Sequence, residues 1–506
     1  MSFLLMVCLT LVCMPKAYPG PWVTLSPVQC LLCCVCYIAG VGLHAFWVSR
    51  KVTRSLNQNP LRRDAILERY ERGRLIHQIV LIGLYLLTLT GLGWGWAVRE
   101  SWTGPSGALP GTELLTLAPF FLAQILGWVF FYDADRAAHH AVCRLFEDET
   151  LAPTWLEARQ VTASPFGGRW AYVGFQLRQK LAFVFVPVFL VVAMKEVERF
   201  LPEAATEWPM LMQALGMCVM GCVLLGWPMM IRLVLRLEPL PPGPVRDRLM
   251  AASKRLGFRF SNVLVWNTNG GMANAMIVGL VPWLRYVIFT DRLLEEFSED
   301  EVEAVFGHEI GHIRHQHMLY YLGFLALSMG ALGLLADHVM LPTLGLLGRE
   351  ISALMPSVVS ESMANLFGPE GDLKTVPVVI LLLAYLFTAF GFLSRNCERQ
   401  ADVFGCRAVS GDRADGSRFS PTGIAIFIRA LEKVALVNGI SRDKPGFLQS
   451  WQHGSIAQRV EFLERASHDP AIEARFQRRL GLLKWTVVVV LGTVVAVMVW
   501  GFELGL

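Results

Sequence analysis

Residues 298–318 read SEDEVEAVFGHEIGHIRHQHM, and the rest of the chain is read outward from them. Ser298 followed three residues later by Glu301 is a capping box, which marks a helix start. Val302, Val305, Phe306 and Ile310 then recur at helical spacing, so a helix is predicted. His308, Glu309 and His312 stand on it. The i, i+4 spacing puts both imidazoles on one face, one turn apart. Two neutral ring nitrogens can hold one zinc ion at about 2.0–2.1 Å. Glu309 sits one position round the helix, within reach of a water as general base. A chance HExxH on an amphipathic helix is the plain alternative. His315 and His317 are rivals. A third consecutive ligand on one straight helix closes a tetrahedron poorly, which disfavours His315. The longer metzincin pattern needs glycine at position 315 and histidine at 318. The chain has His315 and Met318 there, so that class is excluded.

Upstream, 256–294 reads as a small sheet with strands at 260–266, 272–280 and 286–291. Asn267 to Gly271 forms the first turn. Downstream, a catalytic zinc needs a third protein ligand and one open position. Residues 394–402, SRNCERQAD, offer Glu398 and Asp402 on one helical face. Glu398 can bind the metal while Asp402 holds a ligand histidine by its other ring nitrogen. Cys397 is a competing ligand, but it points about 100° away from Glu398. Alone, Glu-x-x-x-Asp reads as a solvated helix start; paired with HExxH it reads as the other half of a site. Residues 453–460, HGSIAQRV, add His453, a donor for a developing oxyanion, and Arg459, a partner for Asp402. A loop histidine and a surface arginine read equally well there.

The chain has 506 residues, 54% hydrophobic and 17% charged, with mean hydropathy +0.46. Soluble proteins carry about 25% charged residues. Disorder, a coiled coil and an ordinary cytosolic enzyme are thereby excluded. The net charge of +4 is too small to argue for nucleic acid. Cys30, Cys33, Cys34 and Cys36 cluster in an apolar run and read as small residues of a membrane helix.

Eight runs are long and apolar enough to span a bilayer: 28–48, 76–98, 112–132, 180–196, 209–234, 318–340, 376–393 and 485–503. A ninth, 2–14, is short. Basic residues alternate across the connections. Segment 49–75 is Arg-rich and 99–111 carries only Arg99. The alternation places 49–75, 133–180, 235–317 and 394–484 in the cytoplasm. The expected organisation is an N-terminal membrane region (1–234), a first catalytic half (235–317), a transmembrane hairpin (318–393), a second half (394–484) and a C-terminal membrane helix (485–506). The fold class is therefore mainly α: a polytopic helical membrane protein with a cytoplasmic α+β zincin domain split by a hairpin. The expected location is a bacterial inner membrane or an ER-type membrane.

Across about 255–465 the chain resembles the HtpX and CAAX prenyl protease family, metallopeptidase family 48. The resemblance rests on three motifs in the family's order: Asn274-Ala275 with the HEIGH helix, Ser394 to Asp402, and His453 to Arg459. It implies one zinc per chain, ligated by His308, His312 and Glu398, with Glu309 as base. It implies that Asp402 supports the ligands and that His453 helps stabilise the transition state. A strand carrying Asn274 and Ala275 would bind substrate backbone by strand addition. Membrane proteins or lipidated peptides would be the substrates. In the family the third motif often reads His-Pro, whereas Gly454 follows His453 here. A membrane sensor-transducer and an inactive protease-like scaffold are the alternative functions. An intramembrane site-2 type is disfavoured, because Glu299, Asp300, Glu301 and Glu303 crowd the approach to HExxH.

Overall fold

In a computed structural model of the chain, the described residues are 24–59, 62–104, 107–147, 166–185, 208–335, 384–409, 420–443 and 451–503. Scattered single positions lie between 188 and 193 and between 340 and 381. They divide into two compact units. One holds 1–246, 259–297 and 437–439; the other holds 247–258, 298–436 and 440–506.

The first unit opens with helices α1 (Pro27–Gln58), α2 (Arg63–Leu86) and α3 (Trp94–Ser101). A small hairpin, β1 (Thr103–Gly104) and β2 (Gly107–Ala108), leads to α4 (Thr112–Glu147), α5 (Arg169–Lys180) and α6 (Pro209–Val234). Ser26 caps α1 with a reciprocal Gln29 contact, and Pro27 suits the first helical position. Four helices among the described residues are long and apolar enough to cross a membrane: Pro27–Gln58, Ala65–Gly91, Thr112–Ala141 and Ala214–Val234. Their outer faces leave Leu43, Trp47, Ile79, Leu122 and Met217 exposed, as a lipid-facing surface would. Inside, Tyr37, Val41, Leu81, Tyr85 and Phe120 pack together. In lipid such contacts gain no hydrophobic drive, so packing and buried hydrogen bonds carry the association. Tyr37 donates to the Leu81 carbonyl at 3.1 Å and Tyr85 to the Thr116 carbonyl at 2.9 Å.

Two expected boundaries need correcting. The connection expected at 49–75 is mostly helix, since α1 continues to Gln58 and α2 begins at Arg63. Its arginines ride on helical extensions. The single span expected at 76–98 is broken. A π-helical turn, Leu87–Gly91, and Gly93 at φ +75 end it before α3. The run 2–14 lies wholly outside the described residues, as do the first five positions of 376–393 and about half of 180–196. The cysteines Cys30, Cys33, Cys34 and Cys36 are free on α1.

The same unit holds a four-stranded sheet of β3 (Glu238–Pro239), β4 (Asn262–Trp266), β5 (Ala275–Val278) and β6 (Tyr286–Thr290), in the order β3-β4-β6-β5. β4 and β6 run parallel with Leu264 opposite Ile288; β5 runs antiparallel to β6 with Ala275 opposite Phe289. Leu264, Trp266, Tyr286 and Ile288 pack on Ile231 and Leu235 at the end of α6. The expected strand at 272–280 shortens to four residues, and Asn274 precedes it. β3 is two residues with a proline, too short to leave a periodic signal.

The second unit contains α7 (Glu299–Arg314), α8 (His317–Leu335), α9 (Gly391–Val409), α10 (Pro421–Val437), α11 (Ile456–His468) and α12 (Pro470–Glu503). α12 passes position 484 without a break. Ser298 and Glu301 form the expected capping box. The Glu301 carboxylate also binds Arg429 at 2.8 Å and Lys433 at 3.2 Å, which ties α7 to α10. Small residues let α7 and α9 approach closely. A Cβ on Gly307 would lie 2.5 Å from that of Ala408, and one on Gly311 would lie 3.0 Å from the Ala401 Cα. The seam faces HExxH toward Glu398.

Candidate metal centre

His308 and His312 lie one turn apart on α7, and their Nε2 atoms are 3.2 Å apart. α9 brings the Glu398 carboxylate to both, 3.7 Å from His308 Nε2 and 3.5 Å from His312 Nε2. The three ligand atoms lie within 4.8 Å of one another. Two ligands about 2.0–2.1 Å from one tetrahedral ion stand about 3.3–3.4 Å apart. The observed spacing of the imidazoles suits that geometry.

The protons can be placed from the neighbours. Asp402, fully buried, has Oδ1 3.0 Å from His308 Nδ1. A carboxylate only accepts, so Nδ1 carries the proton, and in the neutral, ligating form of the ring Nε2 keeps its lone pair. Burial lowers the pKa of this ring, but Asp402 and Glu398 outweigh burial and raise it. Arg459 grips Asp402 with two hydrogen bonds, Nε to Oδ2 at 2.8 Å and Nη2 to Oδ1 at 2.5 Å. Burial raises the Asp402 pKa, but Arg459 and His308 outweigh it and hold the carboxyl below its ordinary value.

On the other imidazole, the argument starts at a lysine. Lys484 Nζ donates to Gln400 Oε1 at 2.7 Å. An ammonium has donors only, so that oxygen accepts, and His317 Nε2, 3.0 Å away, must carry its proton. Burial, then the charges of His312 and Lys484, lowers the His317 pKa to about 2, so its ring is neutral and its Nδ1 is bare. His317 Nδ1 therefore accepts from His312 Nδ1 at 3.0 Å, and His312 Nε2 presents its lone pair. Burial also lowers the His312 pKa, to about 4, which keeps it in the neutral, ligating form. Two lone pairs and a carboxylate thus converge on one point, a donor set that a small divalent cation fits.

His453, on the segment before α11, places Nδ1 3.1 Å from Glu398 Oε1, and its side chain is 58% exposed. Glu398 raises its pKa. Burial raises the pKa of Glu398, but His453, His312 and Arg459 draw it well below the ordinary carboxylate range. Arg395 donates to the Trp451 carbonyl at 2.7 Å, fixing this segment to α9. Gly454 sits at φ +75, which a proline ring cannot adopt. This chain therefore turns after His453 by a route closed to the His-Pro form. Glu309 is half-buried beside the ligands, and its charge acts on Arg459. Cys397 is buried, stands outside the cluster, and has its thiol pushed up to about 11 by burial. His315 also stands outside it.

Asn274 and Ala275 belong to the other unit, at the outer edge of its sheet. Asn274 spends its backbone on Thr290, whose N–H it accepts at 3.0 Å. Asn438 pairs both ways with Ala273, so Ala273 and, by alternation, Ala275 and Ile277 turn their backbone groups to the free edge.

Sequence reading missed His317, Gln400 and Lys484 as supports of His312. The available signals were a histidine five residues after His312 and a glutamine two after Glu398.

The fold and site define a mainly helical membrane protein carrying HExxH and a compact His-His-Glu cluster. Residues 243–466 match peptidase family M48. The chain is 29% identical over 87 residues to a CAAX prenyl protease 1 homolog of Oryza sativa subsp. japonica, covering 17% of this chain and 20% of that one. It is 27% identical over 224 residues to a protease HtpX homolog of Leptothrix cholodnii, covering 44% of this chain and 71% of that one. Crystalline S. mikatae Ste24p aligns over 88% of this chain and 99% of that one, at 15% identity and TM-score 0.48. The chain thus spans about a fifth of the rice relative's length and more of the bacterial one's. Residues 243–466 are thus similar to peptidase family M48, in a chain that carries helices of membrane-spanning length.

Proposed function

We propose that the chain is a membrane zinc endopeptidase that hydrolyses peptide bonds of membrane proteins or membrane-associated peptides. The observation that carries this reading is the convergence of His308 Nε2, His312 Nε2 and the Glu398 carboxylate, with Glu309 beside them. Zinc held there would supply Lewis acidity to the scissile carbonyl and to water. Glu309 takes the proton of the attacking water as its oxygen bonds the carbonyl carbon. It passes that proton to the amine nitrogen as the C–N bond breaks. His453 donates toward the oxyanion, while Asp402 and Arg459 hold the His308 ring in place. Substrate backbone adds as a strand to the β5 edge, pairing with Ala275 and Ile277. Asn274 supports that edge rather than pairing with substrate.

The Arg-rich connections support a site at the cytoplasmic face, with HExxH in 235–317 and the third ligand in 394–484, on either side of a membrane hairpin. Natural substrates are membrane proteins, as the membrane-length helices of this chain suit, or prenylated peptides, as the CAAX name allows. The test uses detergent-purified protein, an unfolded membrane protein and a prenylated CAAX peptide. Glu309→Gln should retain its metal and lose cleavage by about 100-fold or more. Cleavage that survives the substitution sinks the mechanism, and a parent that cleaves neither substrate leaves the scaffold reading.

A further inference from the structure

α12 has two working faces. Glu473, Gln477 and Lys484 lie on one and reach Arg407, Gln400 and the His315 carbonyl. Arg475, Arg479, Leu482 and Thr486 recur at i, i+4, i+7 and i+11 on another, and they face a cavity of about 670 Å³ closed by α9 and α11. Four arginines line it: Arg399, Arg465, Arg475 and Arg479. None of its lining residues is acidic. The floor is aromatic. Phe462 and Phe476 meet edge to face at 4.9 Å, and the Arg399 guanidinium stacks on Phe462 at 5.7 Å.

The nearby carboxylates compete weakly. Glu461 and Asp469 each sit 3.6 Å from one arginine, Arg465 and Arg475, in solvent-exposed pairs. Such pairs contribute little. Arg475 also donates to the Ala471 carbonyl at 3.1 Å. Four cations around one cavity therefore call for an anion, and guanidinium forks suit phosphate oxygens.

The apolar surface beside the cavity identifies the source of that anion. Phe392 and Leu482 of its lining are 55% and 64% exposed, and outside the lining Trp485, 67% exposed, and Val488 to Val490 continue the apolar surface along α12. Arg479 lies six residues before Trp485, about 9 Å along the helix. A tryptophan between a basic run and an apolar run marks a membrane interface. A ligand with an anionic head among arginines and hydrocarbon along Leu482 matches both surfaces. We propose that this cavity binds the headgroup of one anionic phospholipid, whose acyl chains lie along the apolar run of α12.

The experiment is native mass spectrometry of the full chain released from detergent containing phosphatidylglycerol or phosphatidylcholine. The parent should retain one phosphatidylglycerol in preference to phosphatidylcholine. R475Q/R479Q should weaken that retention about tenfold or more, with zinc content unchanged. R475K/R479K, which keeps the charge, should retain most of it. R478Q changes an arginine outside the cavity and should behave as the parent. Equal retention of the two lipids, unchanged retention in R475Q/R479Q, or the same loss in R478Q would overturn the proposal. So would displacement by millimolar inorganic phosphate, which would make the site one for a free anion.

Discussion

Each unit pairs an aspartate with an arginine, half-buried in the first and buried in the second, and the two pairs are used differently. In the first, Asp135 accepts from Tyr70 at 2.6 Å, from Arg74 at 2.9 and 3.1 Å, and from Tyr172. Every contact ends on the carboxylate and joins α2, α4 and α5. In the second, Asp402 accepts from Arg459 and also meets His308 Nδ1. There the contact passes through a ring to a second nitrogen that faces His312 and Glu398. The first cluster fastens helices. The second fastens helices and also aims a lone pair. An ion pair by itself does not mark a site; a titratable ring between the pair and other ligands does.

The sharpest way to break the comparison is to remove both aspartates in turn. Asp402→Ala strips buried Arg459 of both its hydrogen bonds and leaves it only the Glu398 carboxylate at 3.6 Å, which should cost about 3–5 kcal/mol. It should also weaken zinc binding about 10–100-fold. Asp135→Asn should lower thermal stability and leave zinc affinity unchanged. Competition against a chelator, beside thermal denaturation, reads both. Equal zinc affinity in the two variants would erase the distinction.

A smaller effect should come from the support of His312. Lys484→Met removes the donor that orients Gln400 and His317, so zinc affinity should fall about tenfold. His317→Phe should behave alike, and an unchanged affinity in both would mean that His312 needs no such support.

The seam between α7 and α9 gives a third effect. Gly307→Ala forces a Cβ to 2.5 Å from Ala408 and should cost about 1–3 kcal/mol. Gly481→Ala, with no atom within 4 Å of the new Cβ, should be neutral or stabilising by a few tenths to about 1 kcal/mol. Paired melting curves check this.

The smallest effect concerns pH. Burial raises the Glu301 pKa, but the Ser298 N–H, Lys433 and Arg429 together hold it below its ordinary value. Its folded pKa is depressed, so its contribution is present above the unfolded value of about 4 and is lost as pH falls through the folded one. Glu301→Gln should therefore flatten the fall in melting temperature between about pH 6 and pH 3. An unaltered acid limb would show that other carboxylates govern it.

How much was legible depended on range. His308, Glu309, His312, Glu398 and Asp402 were readable because helical spacing is rigid and a capping box fixes where α7 starts. The apolar runs of α1, α4 and α6 were readable from length alone. The helix ends were not, since charged residues such as Arg50 and Arg69 extend helices as readily as they end them. The support of His312 was hidden because it joins positions 312, 317, 400 and 484, a link that no local period encodes. The Gly307 and Gly311 spacing was present in the sequence, but only the opposing Ala401 and Ala408 give it meaning.

The account rests on one ion held by His308, His312 and Glu398. The most direct measurement is zinc per chain by elemental analysis of the detergent-purified parent, Glu398→Ala and Cys397→Ala. One zinc in the parent and in Cys397→Ala, with loss from Glu398→Ala, is the predicted result. A zinc-free parent, or Glu398→Ala that keeps its zinc while Cys397→Ala loses it, would contradict the account.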